Sequence, residues 1–221
     1  MVVIPSINVA TLAEATEQIR KAESFLRAGD WIQLDVSDGV FTDHRTWGAP
    51  DELMMLRTSL CVELHLMIVE PERLLEQYLR ALPNVTNAAT RVILQYEAMR
   101  DPSYILSECR RARVEVGLSL APETDPEFLA LYLRDFRFLN LLSVPPGPSG
   151  QQFQSSVVAK IRTLKQRHPD VILEVDGGMT PEIAQLVRAA GADAIVSGSY
   201  IFESPSPRAA YEELWSFTNK N

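Results

Sequence analysis

The chain has few cysteines and no long apolar run. It contains only Cys61 and Cys109, which do not form a Cys-x-x-Cys pair. This usage indicates reduced thiols and predicts a cytoplasmic protein. No apolar run approaches the roughly 18 residues that a membrane span requires, so no membrane partner is expected. The start, Met1–Asn8, lacks a basic segment and contains Pro5, which favours a first strand over a signal peptide.

The chain also has fewer basic than acidic residues. Lys and Arg number 21 against 29 Asp and Glu, which gives a net charge of −8. Such a surface repels a phosphate-rich polymer, so nucleic acid is not expected as a partner. A small phosphorylated substrate remains compatible, because backbone amides at helix N-termini bind phosphate without Lys or Arg.

Apolar strand-like runs alternate with helical patterns along the whole chain. The predicted strands are Val2–Ile7, Ile32–Val36, Val62–Met67, Arg91–Gln95, Glu115–Leu120, Phe138–Val144, Val171–Val175 and Ala194–Ser197. The predicted helices are Thr11–Leu26, Pro50–Thr58, Glu72–Leu82, Ser103–Ala112, Pro126–Arg134, Phe153–Gln166, Pro181–Ala190 and Arg208–Phe217. This order predicts an α/β fold, a (β/α)8 TIM barrel, as one domain over residues 1–221. The alternative, an open doubly wound sheet, is disfavoured because no Gly-rich loop follows the first strand.

Two aspartates stand where predicted strands end. Asp35 and Asp176 each follow an apolar run, and glycine comes at once or shortly after. Side chains two apart on a strand share a face, so Gln33 accompanies Asp35. Parallel βα folds place their chemistry at such strand ends. Two carboxylates facing one pocket can remove a proton from one side of a carbon and return one to the other, which is the outline of an epimerase.

A histidine on a third strand completes a donor set. Asp35, His65 and Asp176 offer oxygen, nitrogen and oxygen ligands, and Gln33 is a fourth candidate donor. Such a set suits a divalent metal of borderline hardness, namely Zn²⁺, Mn²⁺ or Fe²⁺. Taken singly, each aspartate is as compatible with capping backbone amides, and His65 with a place in the core. The three together favour a functional site.

Five ordered motifs resemble the signatures of the ribulose-phosphate 3-epimerase family. They are Gln33–Phe41, Glu63–Ile68, Val144–Gln151, Val175–Gly178 and Val196–Phe202. The start, Ile4–Ile7, is similar to the family's start, and the match runs nearly the full length. The resemblance implies a metal-assisted proton transfer at C3 of a pentulose 5-phosphate. Because barrels of this family commonly associate, it also implies a homo-oligomer. By this resemblance, Asp35 and Asp176 are expected to act both as acid/base groups and as metal ligands, and His65 is expected to be a further metal ligand.

The chain departs from the family pattern around the expected substrate. Gln33 replaces a ligand histidine, Gln95 replaces the histidine of strand four, and Ser37 and Leu142 replace methionines. An amide oxygen is a weaker, neutral donor, which predicts lower metal affinity or a shift toward harder ions. The loop at 145–151 contains three prolines and is stiffer than the family's Gly-rich loop. These changes concern the identity of the sugar more than the fold.

A phosphate site is expected at the last two strands. Glycines there permit close backbone approach, and barrels of this kind bind phosphate through backbone amides. The plainer alternative is that these are turn glycines. The predicted phosphate- and substrate-binding residues are Ser6, Gly147, Gly150, Gly177, Gly178, Gly198 and Ser199.

Three functions are compatible with these motifs. The first is a divergent epimerase acting on ribulose 5-phosphate or a related ketose phosphate. The second is a regulatory barrel that binds a sugar phosphate without turnover, which Gln33 and Gln95 favour. The third, a decarboxylase or Schiff-base aldolase, is disfavoured because no lysine lies at a predicted strand end. His44, Arg45 and His168 receive no role.

Overall fold

The strand patterns of the sequence fold into a closed sheet. The computed structural model describes residues 1–129 and 131–219. Eight parallel strands in these residues close into a barrel in chain order, which confirms the predicted (β/α)8 fold. The strands are β1 (Val2–Ile7), β2 (Trp31–Ser37), β3 (Cys61–Met67), β4 (Thr90–Gln95), β5 (Glu115–Leu120), β6 (Phe138–Leu142), β7 (Ile172–Asp176) and β8 (Ala194–Ser197).

Local capping sets the ends of several helices. Thr11 and Glu14 form a capping box, each side chain accepting the other's backbone N–H, and Gly191 ends a later helix with φ of 114°. The helices are α1 (Leu12–Glu23), α2 (Pro50–Leu53), α3 (Glu72–Val85), α4 (Pro102–Ala112), α5 (Val157–Arg167), α6 (Pro181–Ala190), α7 (Ser199–Phe202) and α8 (Pro207–Asn219), with 3-10 helices at Tyr96–Ala98 and Pro126–Leu129. In the described part of the chain, no helix is both long and apolar enough to cross a membrane.

One helix prediction is wrong in its described part. The segment predicted as a helix at Pro126–Arg134 forms a 3-10 helix that ends at Leu129 and is followed by turns. Phe128 and Leu131 are 61% and 86% exposed, so the apolar residues of this segment do not form the buried stripe that holds a helix on a sheet. Ala130, inside the predicted helix, lies outside the described residues.

Internal contacts divide the chain into two compact units, whose boundaries fall within β1 and β5. The N-terminal unit is Ser6–Val116. In it, β2 pairs with β3 over seven residues and β3 pairs with β4 over five. Apolar side chains such as Leu34, Leu64 and Leu94 are fully buried and form its core.

The C-terminal unit comprises Met1–Pro5 and the chain from Gly117 onward. Its strands β6, β7 and β8 pair in parallel, and β8 also pairs with the start of β1. A buried hydrogen-bonded row crosses this sheet: Asn140 Nδ2 donates to Glu174 Oε1 at 2.8 Å, and Ser119 Oγ lies 3.3 Å from Asn140 Oδ1. These bonds compensate for burying polar groups.

Candidate active site

Strand pairing places the first predicted aspartate beside the predicted histidine. The register of β2 and β3 matches Asp35 with His65. Matched residues of neighbouring strands project to the same face, and His65 Nδ1 lies 3.3 Å from Asp35 Oδ1. The two residues are 1% (His65) and 6% (Asp35) exposed. Backbone register therefore assembles this buried pair.

Both carboxylate oxygens of Asp35 accept hydrogen bonds from side-chain amides. Gln33 Nε2 donates to Oδ1 at 2.8 Å, and Asn8 Nδ2 donates to Oδ2 at 3.1 Å. A buried carboxylate requires such donors in place of water. The sequence predicts Gln33 as a metal ligand, but its contacting atom is the amide nitrogen. Ligation through its oxygen stays a prediction.

The far side of the His65 ring contacts a buried amide. The Nε2 atoms of His65 and Gln95 lie 2.8 Å apart. With the amide nitrogen donating to Nε2, the ring proton is on Nδ1 and faces Asp35. With the amide turned over, Gln95 Oε1 accepts the Nε2 proton, and the Nδ1 lone pair is directed toward the donor set. The second arrangement is the one that a metal-binding histidine adopts.

The second predicted aspartate sits on a tightly constrained turn. Asp176 ends β7, and Gly177 and Gly178 follow with φ of 110° and 61°. Ser143 Oγ lies 2.8 Å from the carbonyl oxygen of Asp176 and 2.6 Å from that of Gly177. A Cβ at Gly178 would come within 2.6 Å of the backbone nitrogen of Phe153. Only glycine fits here, so the sequence Asp-Gly-Gly has a steric basis, and Asp176 is left partly exposed at the strand end.

Asp35, His65 and Asp176 provide the chemistry of a divalent-metal site. Asp35 and His65 of the N-terminal unit, and Asp176 of the C-terminal unit, each offer one ligand atom. Two carboxylates and a neutral imidazole balance a divalent cation and combine hard and borderline donors. The residues therefore fit a metal of the predicted class.

Other predicted site residues also lie at strand ends. Ser6 is on β1 in the N-terminal unit and is 6% exposed. In the C-terminal unit, Gly198 directly follows β8, and Ser199 begins α7. These placements match the predicted positions, and their contact with substrate stays a prediction.

The proline-containing loop after β6 is closed by its own last residue. Gln151 Nε2 donates to the carbonyl oxygens of Pro145 and Pro148 at 2.8 and 2.9 Å. Gly147 and Gly150 in this loop have φ of 139° and 81°, which glycine adopts without strain. The loop is therefore held in a defined conformation.

Comparison with known proteins assigns the chain to a family. The model described as Ribulose-phosphate 3 epimerase family matches residues 2–202. A ribulose-phosphate 3-epimerase of Chlamydia trachomatis is 34% identical over 93% of this chain and 88% of its own length. One from Synechocystis is 35% identical over 93% and 89%. The chain belongs to the ribulose-phosphate 3-epimerase family. It is an isomerase of the epimerase type, and the resemblance in the sequence motifs is confirmed.

Solved structures support the fold of this epimerase-family chain. A 3-hexulose-6-phosphate synthase from Salmonella typhimurium aligns with a TM-score of 0.72, covering 99% of this chain and 98% of its own. Its sequence identity is 13%, so the likeness shows the shared barrel alone.

Sequence reasoning missed one histidine of this epimerase-family site. His44 Nε2 lies 2.7 Å from Asn8 Oδ1, and Asn8 is the residue that donates to Asp35. The sequence offered no signal for this contact, because His44 is on a loop and its partner is 36 residues away. Periodicity identifies residues on strands and helices, but it does not identify loop residues that fold back onto them.

Proposed function

We propose that this chain interconverts ribulose 5-phosphate and xylulose 5-phosphate by proton transfer at C3. The observation that carries the proposal is the buried pair of Asp35 and His65, whose Oδ1 and Nδ1 atoms lie 3.3 Å apart at the ends of paired strands. The names of relatives that cover most of the chain support the choice of sugar.

Asp35 and Asp176 are the proposed acid/base pair. One carboxylate removes the C3 proton, and the C–H electron pair moves toward the C2 carbonyl to give the enediolate of the sugar. The other carboxylate then delivers a proton to the opposite face of C3, and the configuration is inverted. One proton is taken and one is returned, so no oxidant or reductant is needed.

Asp35, His65 and Asp176 are the proposed metal ligands, with Gln33 as a fourth donor through its amide oxygen. When bound, Zn²⁺, Mn²⁺ or Fe²⁺ would stabilise the negative charge that develops on the sugar oxygens. The protein's own contribution is a fixed geometry. His65 is held between Asp35 and Gln95, and both oxygens of Asp35 are hydrogen-bonded. Such prior positioning lowers the barrier because little must be ordered during the reaction.

The phosphate of the sugar is proposed to bind at the glycine-bearing loops. Backbone amides at Gly177, Gly178, Gly198 and Ser199 would take the phosphate, as expected for the last two strands of such barrels. The loop with Gly147 and Gly150 would cover the sugar, and Ser6 would contact a hydroxyl.

The alternative of a barrel that binds sugar phosphates without turnover is not favoured, because the relatives are named as epimerases. A cytoplasmic location, a homo-oligomer and a single domain over residues 1–221 remain predictions.

The test is incubation with ribulose 5-phosphate and Mn²⁺ or Zn²⁺ in D₂O, followed by NMR. We expect deuterium at C3 together with formation of xylulose 5-phosphate. A chelated sample gives the metal dependence. If no deuterium enters C3 with any of the metals, the proposal is wrong for this sugar, and other ketose phosphates become the substrates to test.

A further inference from the structure

We infer that Asn8 and His44 are positioning residues for Asp35, which they hold in one orientation. The inference rests on the proposed proton-transfer function of Asp35. Its basis is a chain of side-chain contacts within the N-terminal unit that runs from His44 through Asn8 to the carboxylate.

The first contact decides which way the Asn8 amide faces. Asn8 Nδ2 donates to Asp35 Oδ2 at 3.1 Å, so Asn8 Oδ1 is directed away and accepts from His44 Nε2 at 2.7 Å. An amide oxygen can only accept, and therefore His44 carries its proton on Nε2. Turning the amide over would bring its oxygen against the carboxylate and its NH₂ against the imidazole N–H. The bond from His44 thus reinforces the orientation of Asn8 that stabilises Asp35.

His44 is itself fastened to the end of β2. Ser37 Oγ donates to the carbonyl oxygen of His44 at 2.7 Å, and Thr42 Oγ1 lies 3.2 Å from the same oxygen. A second tie joins the loop to the strand, because Thr46 Oγ1 donates to the carbonyl oxygen of Asp35 at 2.9 Å. These contacts form a closed chain of hydrogen bonds, called the circuit below, which runs from Ser37 on β2 through His44 and Asn8 to Asp35 on the same strand.

In this circuit Ser37 has a structural role that the residue at the same position in the family pattern cannot fill. In the family pattern this position is a methionine, which has no hydroxyl to donate. Here the hydroxyl anchors the loop that carries His44. The departure at Ser37 and the contact to Asp35 therefore belong to one arrangement.

The consequence is a carboxylate that cannot rotate freely. Gln33 holds Oδ1 and Asn8 holds Oδ2, so both oxygens of Asp35 are fixed before substrate binds. A carboxylate fixed in this way is already oriented for proton transfer in the transition state. Loss of the contacts that fix it should therefore lower kcat more than it raises KM. Because Asp35 is also a proposed ligand, metal affinity should fall as well.

The test compares His44→Phe and His44→Gln with His168→Phe. His168→Phe is a matched control, since this histidine is the C-cap residue that follows α5 and has no part in the site. We expect His44→Phe to lower kcat for C3 exchange and Mn²⁺ affinity by about tenfold each, with KM changed by less than about twofold. His44→Gln retains an N–H donor and should recover part of the loss. In the wild type, ¹⁵N NMR should place the His44 proton on Nε2.

The outcomes separate this inference from the proposed function. Calorimetric titration with Mn²⁺ and the NMR tautomer require no turnover. If the wild type binds Mn²⁺ but exchanges no C3 proton, the proposed function fails, and the Mn²⁺ affinities of the variants still decide the positioning role. If His44→Phe matches His168→Phe in Mn²⁺ affinity, or if the His44 proton is on Nδ1, the inference is wrong. His44→Gln decides the question if His44→Phe does not fold.

Discussion

Gln33 Nε2 lies 2.8 Å from Oδ1 of Asp35, and both residues are buried on β2. In this orientation the amide stabilises the negative charge of Asp35 by donating a hydrogen bond. The family pattern has a ligand histidine at this position, whose ring nitrogen would bind metal directly. The chain has therefore gained a donor to the carboxylate where its relatives are expected to have a ligand.

Replacing Gln33 by histidine should tighten metal binding. An imidazole nitrogen is a stronger donor than an amide oxygen for borderline ions, so we expect Zn²⁺ affinity to rise by about tenfold in a calorimetric titration. Gln33→Leu is the control, because it removes the hydrogen bond and the proposed amide-oxygen ligand without adding a new donor. Equal Zn²⁺ affinity in the wild type and Gln33→His would exclude this position from the metal site.

Replacing Asp176 by asparagine should abolish C3 exchange and preserve the fold. Asparagine cannot accept a proton as a base, and we expect exchange to fall by at least about 10²-fold in the NMR assay. The turn itself depends on the Asp176 carbonyl, which Ser143 Oγ contacts and which the substitution leaves in place. Asp170→Asn, at an exposed position before β7, is the matched control. Exchange at the wild-type rate in Asp176→Asn would refute the two-carboxylate mechanism.

The sequence predicted those parts of the site that depend on regular structure. Alternation along β2 and β3 places Asp35 and His65 on a common face, and parallel pairing then brings them together. His44 was missed because its contact with Asn8 depends on how a loop folds, which Ser37 and other loop contacts decide. No local pattern encodes such an arrangement.

The errors in the predicted helices have a similar origin. Segment 126–134 has helical periodicity, but Phe128 and Leu131 remain exposed, so packing does not support a full helix there. The short helix α7 was not predicted, because four residues are too few to show a period of 3.6. Sequence patterns therefore locate elements that bury a long apolar face, and they miss those that are fixed by contacts with neighbours.

Asp38 should stabilise the loop after β2 in a pH-dependent way. Burial acts to raise the pKa of its carboxyl, but hydrogen bonds from the backbone N–H groups of Phe41, Val69 and Val40 outweigh burial and lower the pKa from 3.8. Because the folded-state pKa of Asp38 lies below its unfolded-state pKa, the stabilisation is fully present at pH values above the unfolded-state pKa. It is lost as the pH falls through the folded-state pKa.

Asp38→Asn should therefore destabilise the protein by about 1–2 kcal/mol at pH 7 in urea unfolding. The difference from the wild type should shrink below pH 3.8, where the carboxyl of the unfolded chain is protonated. Asp43→Asn, an exposed substitution on the same loop, should change little at either pH. A difference that does not vary with pH would show that the charge of Asp38 is not what stabilises the loop.

The buried ion pair of Arg91 and Glu63 yields a prediction in which two substitutions cost less than one. Arg91 Nη1 lies 2.7 Å from Glu63 Oε2, its Nη2 lies 2.9 Å from Glu115 Oε2, and its guanidinium stacks 4.3 Å over Trp31. Arg91→Met removes the guanidinium that faces a carboxylate with no solvent exposure, and it should cost about 3–5 kcal/mol of unfolding free energy. Glu115→Gln is the control. Its side chain is 45% exposed, so it should cost less than about 1 kcal/mol.

The double variant Glu63→Leu with Arg91→Met distinguishes charge from packing. It removes both buried charges together with the free energy needed to dehydrate them, so it should be more stable than Arg91→Met alone. Urea unfolding of the four proteins at pH 7 provides the comparison. If the double variant is no more stable than Arg91→Met, the cost comes from lost packing of the Arg91 guanidinium against Trp31 rather than from the carboxylate left behind. The pair would then contribute to stability chiefly through shape.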